Sequence, residues 1–294
     1  MQIVLHVGAH VTDEGRLLKG LMRNAAPFAA RGIAVPPPSR YRTLLRDAMT
    51  ALGPGATPHP DARAMVLAQL LDAGQPEPER LILSQENLFA FPSHVIEGGV
   101  LYRRAAERLA ALARLFPGDS IEVFLGLRNP ASFLPALAAQ ADRVKFDAQL
   151  ARTDVYELSW SRMIMDLRSA LPQIDITVWA NEDTPLIWGS LLREMAGIEP
   201  NVKISGAFDL LSEIMTKEGM IRFRAYLKTQ TVMTEMQKRR VISAFLDKFA
   251  RPDQIEQVVD LPGWTDDLVA DVTESYEEDL YQIARIPGVT LIAP

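Results

Sequence analysis

The sequence predicts an α/β protein built on a doubly wound, mostly parallel sheet with helices on both faces. Three observations carry this. Short apolar runs of strand length recur at residues 2–7, 80–84, 121–127 and 174–179. Stretches with helical spacing of apolar residues separate them. Each run also ends abruptly in a polar or glycine-bearing group, as a buried parallel strand does where it enters a loop.

The elements follow in order. Residues 2–7 are apolar with β-branched side chains and run straight into Gly8. Residues 16–31 place Leu17, Leu18, Leu21, Met22, Ala25 and Phe28 on one helical face, with Lys19 and Arg23 between them. Gly32 stops that helix, and residues 33–35 lead into three prolines. Residues 53–60, rich in Gly and Pro, form a loop between two helical stretches. The run at 80–84 ends at Ser84-Gln85-Glu86-Asn87, and residues 101–116 make an amphipathic helix. The run at 121–127 closes on Arg128-Asn129-Pro130. That at 174–179 closes on Asn181-Glu182-Asp183, with a helix over 186–195 before Gly197.

The pattern changes after Ser205. Residues 207–285 read as nearly all helix, for example over 220–249, punctuated by Pro252, Pro262 and Gly263; residues 289–292 end as a short strand. The expected division is an α/β core over 1–204 and a helical C-terminal region, 205–294, packed on it.

Composition excludes several functions. With no cysteine among 294 residues there is no disulfide framework, thiolate zinc site, Fe–S cluster or cysteine nucleophile. Four histidines give little material for a histidine-rich metal centre, and no metal is expected. A net charge of −6 argues against a nucleic-acid partner, which needs a surplus of Lys and Arg. A small anion needs only a local patch. Residues 1–150 hold 16 Lys and Arg against 14 Asp and Glu, whereas the remainder holds 15 against 23, so the first half is the better place for one. Charges interrupt every apolar run before about 18 residues, and no signal peptide is evident, so no membrane span and a cytoplasmic location are expected.

Ligands of open parallel sheets bind at the carboxyl ends of the strands. Here those ends supply residues 8–15, 84–87, 128–136 and 181–183. The first joins a strand to a helix whose free amides point into the loop, which is a ready anion site. There is no Gly-Lys-Ser/Thr after Gly8, no Gly-x-Gly-x-x-Gly after the first strand and no Gly-x-Ser-x-Gly, so the usual signatures of triphosphate, dinucleotide and nucleophile-elbow sites are missing.

The segment from His6 to Gly15 resembles the 5′-phosphosulfate loop of sulfotransferases, with His6, Gly8, His10 and Thr12 at matching positions. Arg128-Asn129-Pro130 after a strand looks like that family's 3′-phosphate element, and Ser84-x-Glu86 resembles a feature of bacterial sulfotransferase-like proteins. These landmarks cover roughly residues 1–200 in order. The resemblance implies a P-loop-type fold and 3′-phosphoadenylyl sulfate as donor, with Gly8, Ala9, His10, Thr12, Arg16 and Arg128 on the nucleotide. It implies transfer to a hydroxyl or amine of a small molecule or glycan, with Glu86 as first candidate base and His10 as its alternative. Neither the acceptor nor the oligomeric state is specified by any pattern in the chain.

The departures are equally specific. Val11 stands at the lysine position, Asp13 at the loop glycine, Glu14 at the hydroxyl residue after it, and Ala136 at the serine of the 3′-phosphate element. Two carboxylates thus face the place of an anion. At about 4 Å and an effective dielectric near 20, each unit repulsion is worth about 4 kcal/mol. Arg16 and Lys19 are either replacement cations or the solvated face of a helix. Arg128 either binds phosphate or pairs with a carboxylate such as Glu182. Glu86 and Asn87 either serve the chemistry or cap a turn. Two functions are therefore open: sulfuryl transfer, or a non-catalytic binding or interaction protein that keeps the scaffold, with Asp13 or Glu14 capping the helix amides in place of a ligand.

Overall fold

The computed structural model describes every residue except Pro54, Thr231, Val232, Gln257, Val258 and Asp260. Part of the 53–60 loop and of the 220–249 helical stretch therefore lies outside the described residues. In chain order the elements are β1 (Gln2–His6), α1 (Arg16–Arg23), α2 (Ala25–Ala29), β2 (Ile33–Ala34), α3 (Arg42–Leu52), α4 (Ala62–Leu70), β3 (Arg80–Ser84), β4 (Ile96–Glu97), β5 (Val100–Leu101), α5 (Ala105–Leu115) and β6 (Ser120–Leu127). There follow α6 (Pro130–Gln140), α7 (Arg143–Leu150), α8 (Trp160–Ala170), β7 (Asp175–Ala180), α9 (Thr184–Ala196), α10 (Asp209–Ile214), α11 (Lys217–Thr229), α12 (Glu235–Phe249), α13 (Pro252–Ile255), α14 (Asp266–Ile283) and β8 (Val289–Ile292).

Six strands form one sheet in the order β2-β3-β1-β6-β7-β8, and every pairing in it is parallel. β4 and β5 make a separate antiparallel ribbon. Alternation along β1 explains the layering. Ile3 and Leu5 point into a core shared with α3–α8 and α14, while Val4 points to the opposite face, where α1, α2 and α9 bring Leu17, Leu21, Phe28 and Leu191. Both faces are covered, so the central strands are apolar on both sides, and that is why they read as uninterrupted runs.

Several boundaries differ from expectation, each for a tertiary reason. The helix expected over 16–31 is two helices that meet at Asn24. The Asn24 amide donates to Gly20 O and Ser205 O, and its Oδ1 accepts from Ser205 N. Residues 101–116 begin as part of the β-ribbon and turn helical only at Ala105. In the stretch 220–249, α12 starts at a capping box in which the Thr234 hydroxyl accepts from Gln237 N and the Gln237 side chain accepts from Thr234 N.

The C-terminal region is of two kinds. α10, α11 and α12 gather around a small core of their own, with Leu211, Ile214, Met220, Phe223 and Ile242, and α13 packs on α10. α14 instead packs on α6 and α8, and β8 extends the sheet beside β7. Residues 266–292 thus add a helix and a strand to the α/β layers, and α10–α13 are an insertion before them.

Candidate functional site

Because the large sheet is parallel, the four strand-end groups come together along one of its edges. β1 and β3 are neighbours whose connections leave in opposite directions, β1 towards β2 and β3 towards β6. Their crevice is the switch point at which ligands of such sheets bind. Residues 7–10 and 84–87 line it.

The crevice is closed by its own side chains. His6 is buried, its Nδ1 sits 3.0 Å from Ser84 Oγ, and its ring stacks on Trp179 at 6.1 Å between centroids. Gly8 adopts φ +107°, and a Cβ there would lie 3.0 Å from His10 N and 3.8 Å from the Glu86 Cα, so backbone and Glu86 approach where only glycine fits. The chain beyond β1 stays tied to β6 through Ala9 N to Gly126 O, 3.0 Å, and Gly126 N to Gly8 O, 2.8 Å.

His10 is 2% exposed and engaged at both ring nitrogens: Nε2 lies 3.0 Å from Asn87 Oδ1 and Nδ1 lies 2.8 Å from the Tyr102 hydroxyl. Asn87 Oδ1 is an acceptor, so Nε2 donates. Nδ1 then accepts the Tyr102 hydroxyl proton, while the Tyr102 oxygen accepts from His10 N at 3.1 Å. Burial pushes the ring below the ordinary histidine range, against the opposing pull of the Asn87 bond and the Glu86 charge. Burial likewise pushes the Tyr102 hydroxyl upward, which keeps it a donor. Glu86 itself is half-buried, and its carboxylate makes no hydrogen bond with any described residue.

The loop from Val11 to Gly15 carries the chain from β1 into α1. Val11 and Glu14 sit at φ +52° and +51°, in the left-handed region that non-glycine residues rarely adopt. For β-branched Val11 such a conformation costs about 1–3 kcal/mol unless neighbours hold it. Here they do. An Arg128 guanidinium nitrogen donates to the Val11 carbonyl, and Thr12 Oγ1 donates to Ala9 O at 2.6 Å. Gly15, at φ +76°, is the N-cap of α1, and the Asp13 carboxylate accepts from Leu17 N at 3.0 Å. The other Asp13 oxygen lies 3.7 Å from His6 Nε2. The Asp13 carboxylate therefore occupies one amide at the start of α1, that of Leu17, and the Asp13 carbonyl accepts from Arg16 N at 2.9 Å.

Arg128 bonds to the first turn of α6 as well as to the loop. Besides the Val11 carbonyl, its Nε donates to Ser132 Oγ at 3.1 Å. Burial lowers its pKa, while Glu182 and then Glu14 raise it from a distance. Glu182 is instead held by Asn129 N, 3.0 Å, and by the Tyr276 hydroxyl, 3.1 Å. Ala136 lies further along α6, and Ser132, one turn from Arg128, is the hydroxyl that reaches the guanidinium. Arg16 pairs with Glu14 at 2.9 Å and with Glu213 of α10 at 2.7 Å, while Lys19 is exposed on the outer face of α1.

Beside this loop, under α10 and α13, lies a cavity of about 220 Å³. Asp13, Glu14, Glu182, Glu213 and Glu256 line it against Arg16 and Arg128, so its charge balance is negative. A wider cavity of about 430 Å³ opens at the β2 edge, beside Arg40, which is already paired with Asp72 at 2.7 Å. It is lined by Gly32–Pro37 around β2 and includes none of the residues at the ends of β1, β3, β6 or β7. Among the described residues no three His, Asp or Glu converge as metal ligands, and no helix is long and apolar enough to cross a membrane.

The structure thus brings Gly8, Ala9, His10, Thr12, Glu86 and Arg128 to one sheet edge and turns His10 and Arg128 towards protein partners. Tyr102, Ser132 and Tyr276 escaped sequence reasoning, and Asn87 was singled out there but not as the partner of His10. Tyr102 and Tyr276 carry no local signal, being 92 and 149 residues from the groups they hold, His10 and the Leu127 carbonyl. No known family model and no curated protein sequence matches the chain.

Proposed function

We propose that the chain is a sulfotransferase-like protein of P-loop-type fold that has kept the scaffold, has lost the donor site, and works by binding rather than by group transfer. The fold part of this reading is supported by a central β1 followed by a loop and helix, and by the resemblances at residues 6–15 and 128–130. The functional part is carried by one observation: the Asp13 carboxylate on Leu17 N, where a 5′-phosphosulfate would seek amides.

A donor placed there would have to displace Asp13, meet Glu14 and release Arg128 from the carbonyl that steadies Val11. The residues present do not fit 3′-phosphoadenylyl sulfate, and no transfer step is derived through it. Calorimetric titration of the full chain with adenosine 3′,5′-bisphosphate tests this. No binding up to millimolar ligand is the expected result, and a micromolar Kd overturns it.

The competing reading, sulfuryl transfer to a hydroxyl or amine, has one specific point in its favour. Glu86 is half-buried beside Gly8 with no hydrogen bond to a described residue, where a general base would stand. That reading requires the same nucleotide to bind, so the titration separates the two.

A further inference from the structure

Two helices of this chain carry opposite charge on faces that match in spacing. In α11, Lys217, Ile221, Arg224 and Lys228 follow at intervals of four, three and four residues, which is one stripe of a helix. All four are exposed, Ile221 at 70%, whereas Gly219, Met220 and Phe223 turn inward. In α14, Asp267, Asp271, Glu274, Glu278 and Tyr281 follow at four, three, four and three. These too are exposed, Tyr281 at 71%, and the inward side is Val272, Tyr276, Asp279 and Ile283. The wider charge agrees: α14 holds seven Asp and Glu and no Lys or Arg, while residues 217–251 hold nine Lys and Arg against three Asp and Glu. None of the charged groups of either stripe is ion-paired with a described residue.

We propose that these stripes are a contact between copies of this chain, α11 of one copy lying antiparallel on α14 of the next. Ile221 then meets Tyr281, Arg224 meets Glu278 and Lys228 meets Glu274, since the intervals of three and four residues agree in both helices. Lys217 falls past the end of α14 beside Arg285, the one unfavourable pair of this register. The fold sets the symmetry. α14 packs on α6 and α8 on one face of the sheet, and α11 packs on α12, which rests on α9 on the other face. The two stripes thus belong to helices on opposite sides of the sheet, so the proposed contact is head-to-tail and adds copies in a row rather than closing a dimer. Exposed ion pairs are individually weak and one helix pair falls short of a stable interface, so the association is reversible and sensitive to salt. It depends on no feature of the strand-end loop, and its test is blind to nucleotide binding.

Sedimentation velocity on the full chain tests it. At about 20 mM salt the mass should climb with concentration from 32.6 kDa through a series of species, and return to the monomer at about 300 mM salt. R224E/K228E and E274K/E278K should each abolish the series, and an equimolar mixture of the two should restore it, because each then offers the stripe the other lacks. Net charge separates this from general repulsion. E274K/E278K takes the chain from −6 to −2, which alone would favour association, so its loss places the effect in the stripe. Circular dichroism checks that the variants keep their fold; for one that does not, Lys228→Glu or Glu274→Lys alone replaces it. A wild-type chain that stays monomeric, a folded double variant that still associates, or a mixture that does not recover overturns the proposal. So does wild-type binding to anionic vesicles or to nucleic acid, lost in R224E/K228E, in a chain that does not self-associate.

Discussion

His10 ties the strand-end loop down only as a neutral ring. Its Nδ1 accepts the Tyr102 hydroxyl and its Nε2 donates to Asn87, so a second ring proton would take away the acceptor of the buried Tyr102 hydroxyl. Burial holds its pKa below that of the unfolded chain, which is near 6.5. As pH falls through that value the unfolded chain takes up a proton that the folded one refuses. The contribution of His10 is therefore complete above about 6.5 and is lost below it, down to the lowered folded value. Urea midpoints at about pH 7.5 and about pH 5.5 should fall further in the wild type than in His10→Gln, which does not titrate. Equal falls would mean that the ring takes up its proton inside the fold. Of this arrangement the sequence disclosed the position of His10 at a strand end but not its role. A loop histidine followed by acidic residues reads as an anion donor, and the tyrosine that occupies it comes from a turn 92 residues away. Arg128 repeats the lesson, because nothing local reveals its bond to the Val11 carbonyl, 117 residues away.

At the level of elements, legibility followed how local the cause was. β1, β3, β6 and β7 were read within one or two residues because strands buried on both faces leave an uninterrupted apolar run. β8 was read over the same residues, 289–292. The break at Asn24 was not, since its partner Ser205 belongs to a distant segment; the start of α12 was open to reading, because Thr234-x-x-Gln237 is a capping box in the sequence itself. Asp279 is the clearest case of a hidden cause. It sits in the acidic run 274–279, where a solvated face is the natural expectation, and its neighbours Glu277 and Glu278 are indeed exposed. Asp279 turns inward and caps another helix, accepting from Trp160 N at 2.7 Å, Ser161 N at 3.1 Å and Ser159 Oγ at 2.9 Å at the start of α8. Asp279→Ala leaves two buried amides unsatisfied and should cost about 2–3 kcal/mol in urea unfolding, with Asp279→Asn costing less because one acceptor survives. A loss under about 0.5 kcal/mol in the alanine variant would mean that the α8 amides find other partners.

On the scale of the whole molecule, the question is what binds the α10–α13 insertion to the α/β layers. It has its own small core, and Leu186 and Leu210 bridge that core to the one beneath α1 and α9. Among the described residues its other attachments include two ion pairs, Glu213 to Arg16 and Asp209 to Arg23, both across to α1, and two hydrogen bonds, from Ser190 of α9 to Glu235 and from Arg239 to the Ala293 carbonyl beyond β8. The Arg–carboxylate pairs stand at the surface, where each is worth about 0.2–1 kcal/mol, far less than the burial of the apolar bridge. Removing both with D209N/E213Q should thus leave global unfolding nearly unchanged while raising amide exchange in α10–α13 by a few-fold to about tenfold, with β1 and β6 unaffected. The same variant removes two carboxylates that neutralise Arg16 and Arg23 beside the strand-end loop. If the loop is closed by Asp13, as its bond to Leu17 N indicates, easing the insertion aside does not create a nucleotide site, and adenosine 3′,5′-bisphosphate should still fail to bind. Micromolar binding in D209N/E213Q alone would instead make α10 the element that shuts the site. Exchange unchanged in α10–α13 would mean that the two ion pairs add nothing to the hold of the apolar bridge and the Glu235 and Arg239 bonds.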